Sequence, residues 1–481
     1  MRRSRFCGIF LFLCFLSTTI WAQVSDPSLS ILSSSAYSKE AAAISARKVP
    51  NKYNSKAQQR IYEAFIQRRN ESLAAQLTDD GIVADAAALA RCNAILQRMQ
   101  RSSPAYPFSE IRVFINRSAT PNASCYGEGT LQVNLGLLLL VSNDDELAFV
   151  MGHELAHQFL GHLESRISRK VSQETDADLR KEVRAINRSS GSRYEKLRAL
   201  QAQLAAEQGA FGRHHEEEAD GLGLLLTRSA GYDPQKGARL LLRFQYVDDL
   251  FAGKELYNVG QTFAPAGIVA AAPAKVKYVG LSSVKVTINA NATLDSLRLS
   301  HPDCVVRWQH LNGGPTSTPP SIENMQAMLA RPDAYKQTAF AEMVRYLFES
   351  RRLTLAIHMC LLAKANGCNS PYFDNFLAAS FAQIVGEEAT GKRFEATHAG
   401  VAIQGSTLKE LEDLVGEQNN EATGKIAAYF LQQHPEQQTE SALLARALYA
   451  QHIEGKPVAS AMAVYLAAYP NGSFASQFKN Q

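Results

Sequence analysis

Asn143-Asp-Asp-Glu-Leu-Ala-Phe-Val-Met-Gly-His-Glu-Leu-Ala-His157 decides the reading of this chain. Asn143 followed three residues later by Glu146 is a capping-box variant, so a helix starts here. On it, His153-Glu-Leu-Ala-His157 fits the pattern HExxH. Four residues advance about 400°, so both imidazoles project from one face, one turn apart, where both reach a single zinc ion. Glu154 lies beside that face, placed to hold and deprotonate a zinc-bound water, whose pKa the metal lowers toward about 7. Surface His and Glu on any helix produce the same five letters. The helix cap and a suitable third ligand downstream favour the metal.

Several residues compete as that third ligand. A metzincin needs a glycine three residues after His157 and a histidine three further on, but Leu160 and Leu163 stand there. His162 lies five residues beyond His157, about 140° around a continuous helix, which turns it to solvent or behind the ligands. His214 and His215 are chemically able, and read equally as a solvated pair before the next helix. Glu216-Glu-Glu-Ala-Asp220 spaces two carboxylates by four residues on one helical face. Glu216 would then bind zinc while Asp220 accepts a hydrogen bond from a ligand imidazole. The same run also reads as an acidic helix start favoured by the helix dipole.

Working outward, helical periodicity covers residues 56–77 and 83–101. Two β-like runs follow at 111–115 and 130–134, the second alternating as a half-buried or edge strand does. Charged, helix-forming residues from 163 to 209, broken at Ser189-Ser-Gly-Ser192, predict two helices. A further helix over 211–230 stops at Gly231-Tyr-Asp-Pro234, and another covers 235–249. Residues 251–297 change texture: an Ala/Pro-rich stretch, then β-like runs at 275–280 and 284–289, read as an insertion holding a hairpin or flap. Residues 313–320 are a linker by composition, and 321–481 are Ala- and Leu-rich and helical. Helix-ending turns at Asn366, His434 and Tyr469 fall near multiples of a 34-residue helical-hairpin repeat, so a tetratricopeptide-like array is expected there.

The N-terminus carries an address. Residues 1–22 open with Arg2, Arg3 and Arg5, continue with an apolar run, and end at Ala22, the pattern of a secretory signal peptide. The run is shorter than the roughly 20 residues needed to span a bilayer. Residues 23–51 form a polar segment. Over 481 residues the formal charge is +4, from 50 basic and 46 acidic side chains; removing the three arginines leaves 47 against 46, or +1. That balance does not support nucleic-acid binding. Five of the seven cysteines lie beyond the signal, and Cys360 with Cys368, flanking Asn366-Gly367, is the pair best placed to bridge. No CxxC pair exists for a zinc-thiolate site.

Taken in order, Asn122-Ala-Ser, Val133-Asn-Leu-Gly-Leu-Leu138, Asp145-Glu-Leu-Ala148, His153 to His157, Glu216 to Gly221, Arg228 to Pro234 and Ser300-His301-Pro302 with Arg307 resemble a known group. It is the HtpX, BepA and CAAX-prenyl-protease group of zinc metalloendopeptidases, peptidase family forty-eight. The resemblance covers roughly residues 85–310. It implies an α+β fold: a mainly helical gluzincin-like domain with a small sheet over 52–312, followed by the all-α tetratricopeptide-like region. It implies His153, His157 and Glu216 on one zinc ion per chain, Glu154 as general base and Asp220 supporting a ligand. It also implies that His301 approaches or caps the metal at rest and that Arg307 faces the cleft, although His-Pro by itself is a helix-start turn. The family's fold would make 130–134 an edge strand able to hold an extended peptide.

The function expected is a periplasmic zinc endopeptidase acting on misfolded or stalled exported proteins, with chaperone activity in outer-membrane protein quality control. Unfolded substrates and the outer-membrane assembly machinery are the expected partners, the latter through the helical tail. The alternative is a latent zinc protein serving as chaperone or scaffold. Six Asn-x-Ser/Thr sequons would matter only under eukaryotic secretion.

Overall fold

The computed structural model describes residues 26–27, 30–31, 37–78, 81–188, 193–244, 253, 255–268, 304–320, 334–398 and 406–475. The signal segment, His301 and residues 269–297 of the expected insertion lie outside the described residues. The first part runs β1 (Ser30–Ile31), α1 (Ser38–Ser45), α2 (Lys56–Thr78), β2 (Ile82–Ala84), α3 (Ala86–Ser102), β3 (Arg112–Asn116), β4 (Ala123–Cys125) and β5 (Thr130–Asn134). It continues as α4 (Leu135–Leu140), α5 (Asp144–Phe159), α6 (His162–Thr175), α7 (Ala177–Arg188), α8 (Arg193–Ser229) and α9 (Pro234–Phe244).

The strands form one sheet in the order β1-β2-β3-β5-β4, with β3 and β5 parallel and the other neighbours antiparallel. Ile44, Leu73, Leu77, Ile82 and Phe114 pack α1 and α2 on one face. Leu131, Val133, Leu147, Met151 and Leu155 join Cys92, Ile95 and Met99 to cover the other with α3 and α5. Each face thus buries the alternate side chains that a strand of period two presents to it.

Several sequence expectations are corrected. Residues 130–134 are not the edge: β5 lies between β3 and β4, and β4 is the terminal strand. The alternation misleads because Thr130 and Gln132 are polar yet buried, and Gln132 accepts a hydrogen bond from the Tyr126 hydroxyl at 3.3 Å. The helix expected over 83–101 begins at Ala86, because the Asp85 carboxylate caps it through Ala87 N–H and Ala88 N–H, both at 3.0 Å. Val83 pairs with Ile115 in the sheet. Over 163–209, α7 ends at Arg188 and α8 begins at Arg193, on either side of the expected break, but a further division at Asp176 makes three helices of the expected two. Asp176 accepts from Asp178 N–H and Leu179 N–H and starts α7, while α8 runs through residue 210 without a break into the segment bearing Glu216. The segment read as merely polar also contains β1 and α1.

The second part comprises α10 (Val259–Phe263), α11 (Cys304–Leu311), α12 (Ala334–Glu349), α13 (Leu353–Ala365), α14 (Pro371–Ala389), α15 (Arg393–Thr397), α16 (Thr407–Glu417), α17 (Asn420–Leu431), α18 (Glu440–His452) and α19 (Val458–Ala468). It is all-helical, and α14 is buried along most of its length between α13, α17 and α18. Ser370, Ser406, Asn419 and Thr439 cap four of these helices with their side chains. The turns expected near 366, 434 and 469 fall just after the ends of α13, α17 and α19.

Where described, the start of the expected insertion packs against these helices. Phe263 meets the rings of Phe381 and Phe430, and the Tyr257 hydroxyl lies 2.7 Å from His358 Nδ1. The expected Cys360–Cys368 bridge is absent: all five described cysteines are free, and these two are buried thiols, Cys360 within α13 and Cys368 beyond its terminal turn. Among the described residues no helix is long and apolar enough to cross a membrane.

Candidate metal centre

Helix α5 starts as its sequence requires: Asn143 Oδ1 accepts from Glu146 N–H at 2.9 Å, and Glu146 Oε2 accepts from Ser142 N–H at 2.7 Å. Three turns on, the four-residue spacing brings His153 Nε2 and His157 Nε2 to 3.1 Å. Helix α8 crosses α5 closely enough to bring Glu216 in. Its carboxylate oxygens stand 3.5 Å from His153 Nε2 and 3.4 Å from His157 Nε2. A tetrahedral ion with bonds of roughly 2.0–2.1 Å has ligand-to-ligand edges of ~3.3 Å. The imidazole–imidazole separation and the nearest carboxylate oxygen to each ring, Oε2 for His153 and Oε1 for His157, lie close to that length, so the three side chains could hold a divalent metal.

Supporting contacts leave Nε2 of each imidazole for that ion. His153 Nδ1 is 2.9 Å from Asp220 Oδ1. Arg307, buried on α11, donates to both Asp220 oxygens at 2.8 and 2.7 Å and lies 3.1 Å from Glu216 Oε2. Arg307 thus reaches the site as expected, but as a clamp on two carboxylates. Burial opposes charge on His153, yet Asp220 and Glu216 lift it to about 10. Burial also opposes charge on Asp220, but Arg307 and His153 hold it down at about 2. Burial works against the Arg307 charge too, and the Asp220 and Glu216 carboxylates raise its pKa nonetheless.

His157 Nδ1 lies 2.8 Å from His162 Nδ1. Of the two placements expected for His162, the one behind the ligands holds, but not on a continuous helix: α5 ends at Phe159, Gly161 takes the left-handed conformation at φ 68°, and α6 restarts at His162. That break resets the helical phase and folds His162 back until only 2% of it is exposed. His162 Nε2 is 3.2 Å from Glu218 Oε2. Burial, with His157 and His215 close by, brings its pKa down to about 4. Of the rival ligands, His214 is exposed beside Glu218, and His215 stacks on His162. Neither joins the triad of His153, His157 and Glu216.

Glu154 Oε2 accepts the backbone N–H of Cys125 at 3.2 Å, so the general-base candidate is held by the terminal strand. Gln158 Oε1 accepts from the Cys125 thiol at 2.8 Å and Gly129 N–H at 3.1 Å, tying the same strand to α5. Burial pushes the Cys125 thiol up to about 12 despite help from Gly127, which removes it as a nucleophile. A cleft of about 210 Å³ runs here, lined by Ser124, Cys125, Glu154, His157, Arg166 and Glu216 among others. Of the residues singled out from the sequence, the structure brings His153, Glu154, His157, Glu216 and Asp220 together. Sequence reading missed Cys125, Gln158 and the helix break that brings His162 in, for which Gly161 was the available signal.

Residues 87–314 match Peptidase family M48. A putative beta-barrel assembly-enhancing protease of Vibrio cholerae is 29% identical over 141 residues, covering 28% of this chain and 29% of that protein. The mitochondrial metalloendopeptidase OMA1 of Arabidopsis thaliana is 34% identical over 123 residues, covering 24% of this chain and 21% of that protein. The chain therefore spans less than a third of either relative. The segment that matches Peptidase family M48 contains both imidazoles, the carboxylates Glu216 and Asp220, and the arginine that clamps them.

Proposed function

We propose that the chain is a zinc-dependent endopeptidase, with one zinc ion held by His153, His157 and Glu216. The observation that carries the reading is the convergence of three side chains: the two Nε2 atoms stand 3.1 Å apart, with Glu216 Oε2 3.5 Å from His153 Nε2 and Glu216 Oε1 3.4 Å from His157 Nε2. Zinc, when bound, supplies Lewis acidity that polarises a peptide carbonyl and makes water acidic near neutral pH. Glu154 is the base: its Oε2 is occupied by Cys125 N–H, so Oε1 takes the proton from water and passes it to the departing amine. Arg307 keeps Asp220 ionised, and Asp220 keeps the His153 proton on Nδ1.

Strand β4 supplies the substrate shelf. Asn122 C=O and Tyr126 N–H bond to β5, at 3.0 Å each. Alternation along an antiparallel strand then turns the backbone groups of Ala123 and Cys125 the other way, toward the cleft. The Cys125 N–H to Glu154 contact supports that direction. An extended polypeptide adds to such an edge through main-chain hydrogen bonds, which suits unfolded substrates of varied sequence.

The name of the Vibrio relative supports a role in the quality control of outer-membrane proteins. In that reading the signal segment sends the chain to the periplasm, and the helical region, tetratricopeptide-like, docks substrate or assembly machinery and lends chaperone activity. Metal analysis and cleavage of an unfolded protein test the core of it. The purified chain should hold one zinc, and Glu154→Gln should keep the zinc while losing roughly 10²–10⁴-fold in rate. A wild type without zinc would sink the reading. A wild type that holds zinc but cleaves nothing would leave a latent zinc scaffold in its place.

A further inference from the structure

The two imidazoles are backed in different ways, and the difference follows a consistent proton count. His153 hands its Nδ1 proton to a carboxylate that Arg307 clamps. At His157 Nδ1 the group, 2.8 Å away, is instead a second imidazole nitrogen, His162 Nδ1. One nitrogen of such a pair donates and the other accepts. If His157 Nε2 is to offer a lone pair to metal, its proton sits on Nδ1, and His162 Nδ1 is the acceptor. The His162 proton then sits on Nε2, which faces Glu218 Oε2 at 3.2 Å. Both rings are then neutral, and the Glu218 carboxylate is the acceptor nearest the His162 proton.

The plane of His162 is also held. Its ring stacks on His215 at 4.1 Å and 6°, and His215 packs on Phe211, which in turn carries the Arg169 guanidinium over its face. His162, His215 and Glu218 are close enough together to suggest a second ion. The ring geometry argues against it: a metal binds in the plane of an imidazole, and two nearly parallel stacked rings share no such plane.

We propose that His162, oriented by Glu218 and the His215 ring, is a positioning residue that fixes the tautomer and angle of the metal ligand His157. The helix break at Gly161 is the device that delivers it. An added Cβ at Gly161 would meet nothing within 4 Å, so what the glycine serves is its left-handed φ of 68°. The proposal rests on the zinc reading above and adds a residue to it.

The experiment is zinc affinity of the full chain, measured by competition with a chromogenic chelator, alongside thermal melting of the zinc-free protein. His162→Phe keeps a flat ring but no acceptor and should weaken zinc 10–100-fold. His162→Gln, whose amide oxygen can accept from His157, should stay within a few-fold of wild type. Glu218→Gln, at a half-exposed position, should weaken zinc by about tenfold and serves if the phenylalanine variant does not fold. Selective ¹⁵N labelling of histidine should show the His157 proton on Nδ1 in the wild type. Equal zinc affinity in the wild type and both the His162→Phe and Glu218→Gln variants would overturn the proposal, as would a change confined to melting. Loss of zinc binding by the wild type would instead overturn the zinc reading itself.

Discussion

Gly152 and Gly223 meet where α5 crosses α8: a Cβ on Gly223 would stand 2.8 Å from the backbone nitrogen of His153, and one on Gly152 would stand 2.9 Å from Gly223 C=O. This glycine contact sets the distance between the helix bearing the two imidazoles and the helix bearing Glu216 and Asp220. Gly223→Ala therefore has to push the helices apart at the proposed metal ligands. Overpacking of this kind costs about 1–3 kcal/mol, and the zinc content should fall with it. Thermal melting and metal analysis check both; an alanine variant with wild-type values of each would contradict the crossing.

Acid should unfold the zinc-free protein in a range set partly by Asp220. Its folded pKa, about 2, lies below the ordinary 3.8. Stability from this group is thus fully present above pH 3.8 and is lost as pH falls toward 2. The shift corresponds to on the order of 2 kcal/mol. Asp220→Asn should be less stable at neutral pH and lose less on acidification, as followed by urea midpoints between pH 5 and 2.

Arg117, just past β3, is 1% exposed and bonds Glu342 at 2.6 Å and Glu349 at 2.7 Å on α12, where Arg345 also meets Glu342 at 2.7 Å. Burial raises the Glu349 pKa against the pull of Arg117 and Arg345. Removing the central cation leaves two buried carboxylates short of a partner, a loss of about 3–5 kcal/mol. Arg117→Met should show that loss in chemical denaturation. It should also weaken cleavage, because the chain from Arg117 leads directly into β4.

Substrate backbone should matter more than substrate side chains. If a peptide lies along β4, methylating one of its amides that faces Ala123 or Cys125 removes about 1 kcal/mol, or roughly fivefold in kcat/KM. Methylation of the next amide along should have little effect. A uniform response along the peptide would rule out strand addition.

What was legible in the sequence was what one helix turn encloses. The cap at Asn143 and the i, i+4 pairs His153/His157 and Glu216/Asp220 depend only on local backbone geometry, so spacing alone determined them. The burial of Thr130 and Gln132 was not legible, because it arises from strands on either side of β5, one of them too short to show a period. The position of His162 depended on whether Gly161 would continue the helix or adopt its left-handed turn. Tertiary structure alone decided that Glu216, rather than His214 or His215, lies beside both imidazoles, that Arg307 clamps its carboxylate and that of Asp220, and that β4 is the edge facing Glu154. Each joins residues tens of positions apart, and only the packing of α5 against α8, α11 and the sheet brings them within bonding distance.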